Sequence, residues 1–220
     1  MSSADSLIPP SLLFHLAIPC FRFEGRWTNA GVELDERHVM TSFHAELNQG
    51  PRFAEFRMAW NDAGIYIHLR TTGKKQAPWC RANRPEDSDG LSLLLDTRNT
   101  QNIHRAGRFC HRFMFLPQGA GRMLDEPHAS LMEINRSREN PKPVAENVLK
   151  VMSEKRVDGY LLQGFIPAAA ITGFDPAEHP RLGFNYAVAD RELGWQTFNV
   201  GPELPFTSDP SLWGTMELVR

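Results

Sequence analysis

Apolar and polar residues alternate in short runs along most of this chain, and long amphipathic helical stretches are hard to find. Alternation with a period of two places successive side chains on opposite faces of an extended strand. Phe56, Met58 and Trp60 share one face of a run that ends at Asn61-Asp62-Ala63-Gly64. That turn reverses the chain into Ile65, Ile67 and Leu69, with Tyr66, His68 and Arg70 on the other face. The pattern predicts a hairpin with turn residues in place. Leu93, Leu94 and Leu95 leave neither face polar, so Leu91 to Asp96 predicts a strand buried on both sides. Further strands are predicted over Arg108 to Leu116, Ala129 to Asn135, Val148 to Ser153 and Tyr160 to Ile166. Leu182 to Val188, Trp195 to Val200 and Trp213 to Val219 complete the set. Pro167 to Ile171 predicts one short helical turn, and Pro-bearing loops separate the later runs.

About ten short strands with few short helices predict an all-β fold, a two-sheet antiparallel β-sandwich. At 220 residues the chain fits one such domain. It shows no internal repeat and no boundary, so residues 1–220 are read as one sandwich. Residues 1–50 are read as an N-terminal extension that packs on the sandwich or completes it. Hydrophobic content of 41% suffices for a full core. A net charge of -2 offers no support for nucleic-acid or anionic-membrane binding. Leu12 to Cys20 is apolar but short, follows no Lys or Arg, and is interrupted by His15 and Pro19. It predicts a packed strand or arm rather than a signal peptide, and no run approaches the ~20 apolar residues of a membrane span. Cys20, Cys80 and Cys110 are odd in number and form no Cys-x-x-Cys pair. Reduced thiols and a cytoplasmic location are the expectation.

The densest chemistry lies between Asp87 and Pro117. Asp87, Ser88, Asp89 and Gly90 form a carboxylate turn, and the next strand stops at Asp96-Thr97-Arg98. Spaced carboxylates of this kind suit calcium, with Asp87 and Asp89 as the ligands, although the spacing is not that of an EF-hand. The alternative is that they form the turn itself. His104, Arg105, Arg108, His111 and Arg112 then thread among Phe109, Phe113 and Phe115. Strand alternation turns His111 toward the phenylalanines and Arg108 and Arg112 away from them. His104 and His111 could serve a metal, but no third ligand has compelling spacing. No nucleophile elbow, His-Glu-x-x-His or phosphate-binding glycine loop occurs, so no catalytic residue is assigned.

Several motifs together resemble the DOMON-like β-sandwiches, and within them the family 9 carbohydrate-binding modules. They are the hairpin from Trp60 to Leu69, the acidic turn and strand from Asp89 to Asp96, and the strand Tyr160 to Pro167. Gly183-Phe-Asn-Tyr-Ala-Val-Ala-Asp190 and Pro210-Ser-Leu-Trp-Gly-Thr-Met-Glu-Leu218 are the more specific ones. The resemblance spans Phe53 to the C-terminus and implies a jelly-roll-type sandwich that binds without catalysing. Sugar-binding members clamp a terminal sugar between two tryptophans, which implies Trp79 and Trp195 here. Arg98, just past the Asp96 strand end, falls at the hydroxyl-binding position. Beside these, and not as part of what the resemblance implies, Arg105 and His111 are read as supporting contacts and Asp190 as a further ligand-binding residue. Some DOMON members hold heme b between the sheets through Met and His. A heme- or metal-binding redox domain using His111 or His104 is therefore the alternative reading, with Met114 and Met123 available for heme beside His111 or His128. A structural or interaction protein without a small ligand is the third.

Overall fold

The alternating runs become eleven strands in the computed structural model, which describes residues 9–145 and 147–220. They are β1 (Ala17–Phe21), β2 (Ala54–Asn61), β3 (Gly64–Thr71), β4 (Gly90–Asp96), β5 (Cys110–Ala120) and β6 (Glu126–Met132). After them come β7 (Lys150–Arg156), β8 (Gly159–Pro167), β9 (Arg181–Asp190), β10 (Gly194–Thr197) and β11 (Gly214–Val219). One α-helix, α1 (Phe43–Asn48), and short 3-10 turns make up the rest of the regular structure among the described residues. The turn expected near Pro167 is the 3-10 segment Ala168–Ala170. No helix is long and apolar enough to cross a membrane among the described residues.

The strands form two sheets. The larger runs β1-β11-β9-β4-β5-β6, with β10 added on β9, and the smaller runs β2-β3-β8-β7. The predicted hairpin is β2–β3, closed at the pair Asn61↔Gly64. The Asn61 side-chain oxygen accepts the Ala63 N–H at 2.9 Å, which fixes the turn. One pair departs from the antiparallel expectation: β1 runs parallel to β11, from Ala17↔Thr215 to Phe21↔Val219. That direction lets the chain pass straight from β1 onto the smaller sheet, where the Phe23 N–H donates to the Trp60 carbonyl at 2.8 Å.

The two inner faces meet as the alternation requires. Phe56, Met58, Trp60, Ile65, Ile67 and Leu69 pack against Leu91, Leu93, Leu95, Phe113, Phe115 and Phe184 in one buried cluster. Each such side chain contributes about 1.5–3 kcal/mol by leaving water. Gly164, on the inner face of β8, makes room for the Phe115 ring; a Cβ there would stand 2.6 Å from it. Gly164→Val is therefore expected to lower stability by about 1–3 kcal/mol through overpacking. A denaturation midpoint unchanged from wild type would show that Phe115 can move aside.

The outer faces are treated differently. On the smaller sheet, Tyr66 is covered by the N-terminal arm: Val32, Leu34, Phe23 and Trp27 pack on it. On the larger sheet, two loop regions roof separate parts of the face. Cys80, from the link before β4, packs with Met114 and Leu116. Phe206, Val200 and Trp213 pack on Leu94, Ala187 and Cys110 farther along.

Candidate functional site

At one end of the larger sheet, β4 begins beside the end of β9, with Gly90 opposite Ala189. Asp89 and Asp190, the residues next to that pair, are thus neighbours, and both are buried. Two carboxylates side by side need a cation, and Lys74 supplies it from the link after β3. Its Nζ lies 2.6 Å from Asp190, 3.4 Å from Asp89 and 3.9 Å from Glu192. Burial lowers the Lys74 pKa, but the bond to Asp190 and the charges of Asp89 and Asp190 outweigh it and hold the ammonium above its ordinary value. Backbone amides take the remaining oxygens. Asp89 accepts the N–H groups of Trp79 and Arg191, each at 2.9 Å. Asp190 accepts those of Glu192 at 2.9 Å and Leu193 at 3.0 Å.

This knot corrects two expectations. Asp89 and Asp87 do not form a calcium pair, because the Asp89 carboxylate is spent on Lys74 and two amides, and Asp87 offers its carbonyl to the exposed Arg191 at 3.4 Å. Among the described residues no group of three His, Cys, Asp or Glu side chains is arranged for a metal. Asp190 is likewise saturated, so it braces the site instead of facing a ligand. What the knot positions is Trp79, whose N–H and C=O both bond to Asp89.

Trp79 is half-buried and flanked by guanidinium groups. Arg191 stands 3.4 Å above its ring centroid and Arg81 lies 5.3 Å away. Trp195, also half-buried, pairs with Ala189 across β10–β9 and so lies at the same end of the sheet. Its indole meets Phe206 edge-on, with centroids 6.4 Å apart. Along the same outer face, Arg112 extends from β5 toward β4, its Nε 3.4 Å from the Ser92 hydroxyl oxygen. Burial pulls the Arg112 pKa below its ordinary value, and the charge of Glu86 offsets only part of that. The outer face therefore carries two tryptophans, a desolvated guanidinium and a hydroxyl. This is the composition of a polar-ligand site with aromatic platforms.

The other expected contacts lie elsewhere. Arg98 follows the far end of β4, seven residues of strand from the Trp79 end, and stacks on Phe109 at 4.2 Å. Its Nη1 donates to the Gly173 carbonyl at 2.9 Å. Asp96 does not pair with it by side chain; it accepts the backbone N–H groups of Arg98 and Thr100 and closes the turn. Arg105 is exposed and donates to the Arg136 carbonyl at 2.9 Å. Trp79 and Arg98 are thus not parts of one site.

His111 points inward, as alternation predicts, with its ring parallel to Phe113 at 5.7 Å. Its Nε2 accepts the Thr172 N–H at 2.8 Å. Burial pushes its pKa down to about 4. The heme ligand sets are not brought together. Met114 packs with Cys80 on the outer face while His111 is on the inner one, and Met123 is 77% exposed. His128, opposite Leu116, also belongs to the outer face.

His104 makes a Ser–His–Asp grouping whose geometry is structural. Asp209 and Ser211 both approach its Nδ1, at 3.0 and 3.1 Å. The Ser211 hydroxyl donates to Asp209 at 2.6 Å, so the imidazole is not placed to take its proton.

Sequence reasoning missed Lys74, Ser92, Arg112 and Arg191 as site residues. Arg112 was legible as the residue facing away from His111. The other three had no signal, since their roles depend on strand neighbours distant in sequence.

Neither a family model nor a curated protein sequence matches the chain. Solved structures do. A family 9 carbohydrate-binding module from Caldicellulosiruptor kristjanssonii, in complex with cellotriose, superposes with a TM-score of 0.58 at 15% identity, covering 93% of this chain and 94% of that one. The same module with glucose gives 0.59 at 15% identity, over 93% and 97%. A chain from Bacteroides uniformis gives 0.50 at 14% identity, over 82% and 84%. The chain thus has the fold of a family 9 carbohydrate-binding module.

Proposed function

We propose that this protein is a non-catalytic carbohydrate-binding domain that holds a saccharide on the outer face of its larger sheet. The observation that carries the reading is the pair of half-buried tryptophans, Trp79 and Trp195, at one end of that sheet. Pyranose rings present axial C–H groups that stack on indole faces, while their hydroxyls seek charged and polar neighbours. Arg112 and Ser92 are such neighbours, and the solved modules of this fold hold cellotriose and glucose. The contacts are stacking and hydrogen bonds, which bind a sugar without breaking a bond in it.

Trp79→Ala is expected to weaken saccharide binding at least about tenfold, a loss of roughly 1.4 kcal/mol. The fold should survive, because the Trp79 bonds to Asp89 run through its backbone. A glycan array followed by calorimetry on the best sugar measures the loss, with thermal unfolding as the fold control. Full affinity in a folded Trp79→Ala variant would remove Trp79 from the site.

A further inference from the structure

The guanidinium groups on the candidate face lack carboxylate partners among the described residues. Among the described residues Arg81, Arg112 and Arg191 make no ion pair, whereas Arg22, Arg57, Arg70, Arg156 and Arg181 each pair with a carboxylate and Arg98 and Arg105 donate to backbone carbonyls. The acids nearest to them are engaged in other ways. Asp89 and Asp190 are neutralised by Lys74 and backbone amides, and Glu192 accepts the N–H groups of Lys75 and Gln76. The charge of Glu86 acts on Arg112 without forming an ion pair with it.

Arg112 is the telling case. Its side chain is half-buried, yet among the described residues its one hydrogen bond is to the Ser92 hydroxyl at the long distance of 3.4 Å. A charge held this way is costly unless something of opposite sign completes it. Arg191 is also preorganised. Its guanidinium carbon lies 3.4 Å over the Trp79 ring centroid, and its one hydrogen bond among the described residues is a long one, 3.4 Å to the Asp87 carbonyl. A planar fork of this kind matches a carboxylate bidentately.

We infer that the face selects a saccharide bearing a carboxylate, a uronic acid unit, with Arg112 and Arg191 as the residues that recognise the acid group. The inference rests on the carbohydrate-binding reading and narrows it. The sugar ring would stack on an indole while its carboxylate completes the charge the protein leaves open. Arg81, on the rim of Trp79, adds to the field that favours an anion.

The test uses a pair of sugars that differ at one carbon, cellobiose and cellobiouronate, titrated calorimetrically into the intact protein. Cellobiouronate is expected to bind at least about tenfold tighter in low salt, with the advantage shrinking as ionic strength rises. Arg191→Gln should erase most of that advantage while leaving cellobiose binding in place, whereas Arg112→Gln, which also loses a contact to sugar hydroxyls, should weaken both sugars and cellobiouronate the more, with thermal unfolding checked for both. Equal affinity for the two sugars in the wild-type protein overturns the uronate inference and leaves the carbohydrate reading standing. Competition by acetate as strong as by the uronate would mark a simple anion site and overturn it too. If neither these sugars nor any member of a glycan array binds, the carbohydrate reading itself fails and the inference falls with it.

Discussion

Replacing Lys74 with methionine is expected to cost the protein about 3–5 kcal/mol of stability, the usual penalty for removing one partner of a buried ion pair. The lysine side chain is 2% exposed and those of Asp89 and Asp190 are 2% and 0% exposed, so the three charges are withdrawn from bulk solvent. Two carboxylates would be left facing each other in the interior. A folded domain has only about 5–15 kcal/mol in total, so the variant should be partly unfolded or unfold at much lower urea. Urea denaturation read by tryptophan fluorescence measures it. A loss below about 1 kcal/mol would mean that the carboxylates have another source of charge or take up protons. The same knot predicts the alkaline limit. The Lys74 pKa is raised in the fold, so its contribution is complete below the ordinary lysine range and is lost as pH climbs through the raised value. Cys80 and Cys110, pushed up by burial to about 12, act in the same direction from the ordinary thiol range upward.

At the acid side His111 is expected to contribute most, beside His44 and His68, which burial also lowers. Burial lowers the His111 pKa from 6.5 to about 4, and the carbonyls of Phe109 and Leu95 recover only part of the loss. A lowered folded pKa means that the unfolded chain binds the proton first. The stability that His111 contributes is therefore complete above pH ~6.5 and falls away as pH drops toward ~4, by roughly 3 kcal/mol. Protonation would also turn Nε2 from an acceptor into a donor aimed at the Thr172 N–H. His111→Gln keeps an acceptor for that N–H and removes the titration, so its stability should be flatter between pH 7 and 4 than the wild type's. Parallel pH profiles for the two proteins would assign acid unfolding to other groups.

Much of the sandwich was legible along the chain because strand alternation is a local property. Phe56, Met58 and Trp60 sit inside together, Leu91 to Leu95 is buried on both faces, and His111 sides with Phe113. The parallel β1–β11 pair was not legible, since an apolar run states that a strand exists but not which edge it joins. The site was legible only in part. Trp79 and Trp195 stand at the same end of the larger sheet, but Arg98, close to the acidic turn in sequence, lies at the other end of β4. Seven strand residues separate their ends by roughly 20 Å.

The alternation of side chains determined which residues would be strand, which faces would be apolar and that His111 would be buried. The tertiary structure alone decided where charge is spent. Lys74, Asp89 and Asp190 are far apart in the chain and meet only because β4 and β9 are neighbours in the sheet. Once those carboxylates are consumed, the arginines beside Trp79 are left without acid partners among the described residues. A sequence lists charges, but pairing depends on distances of a few ångströms that only strand order creates.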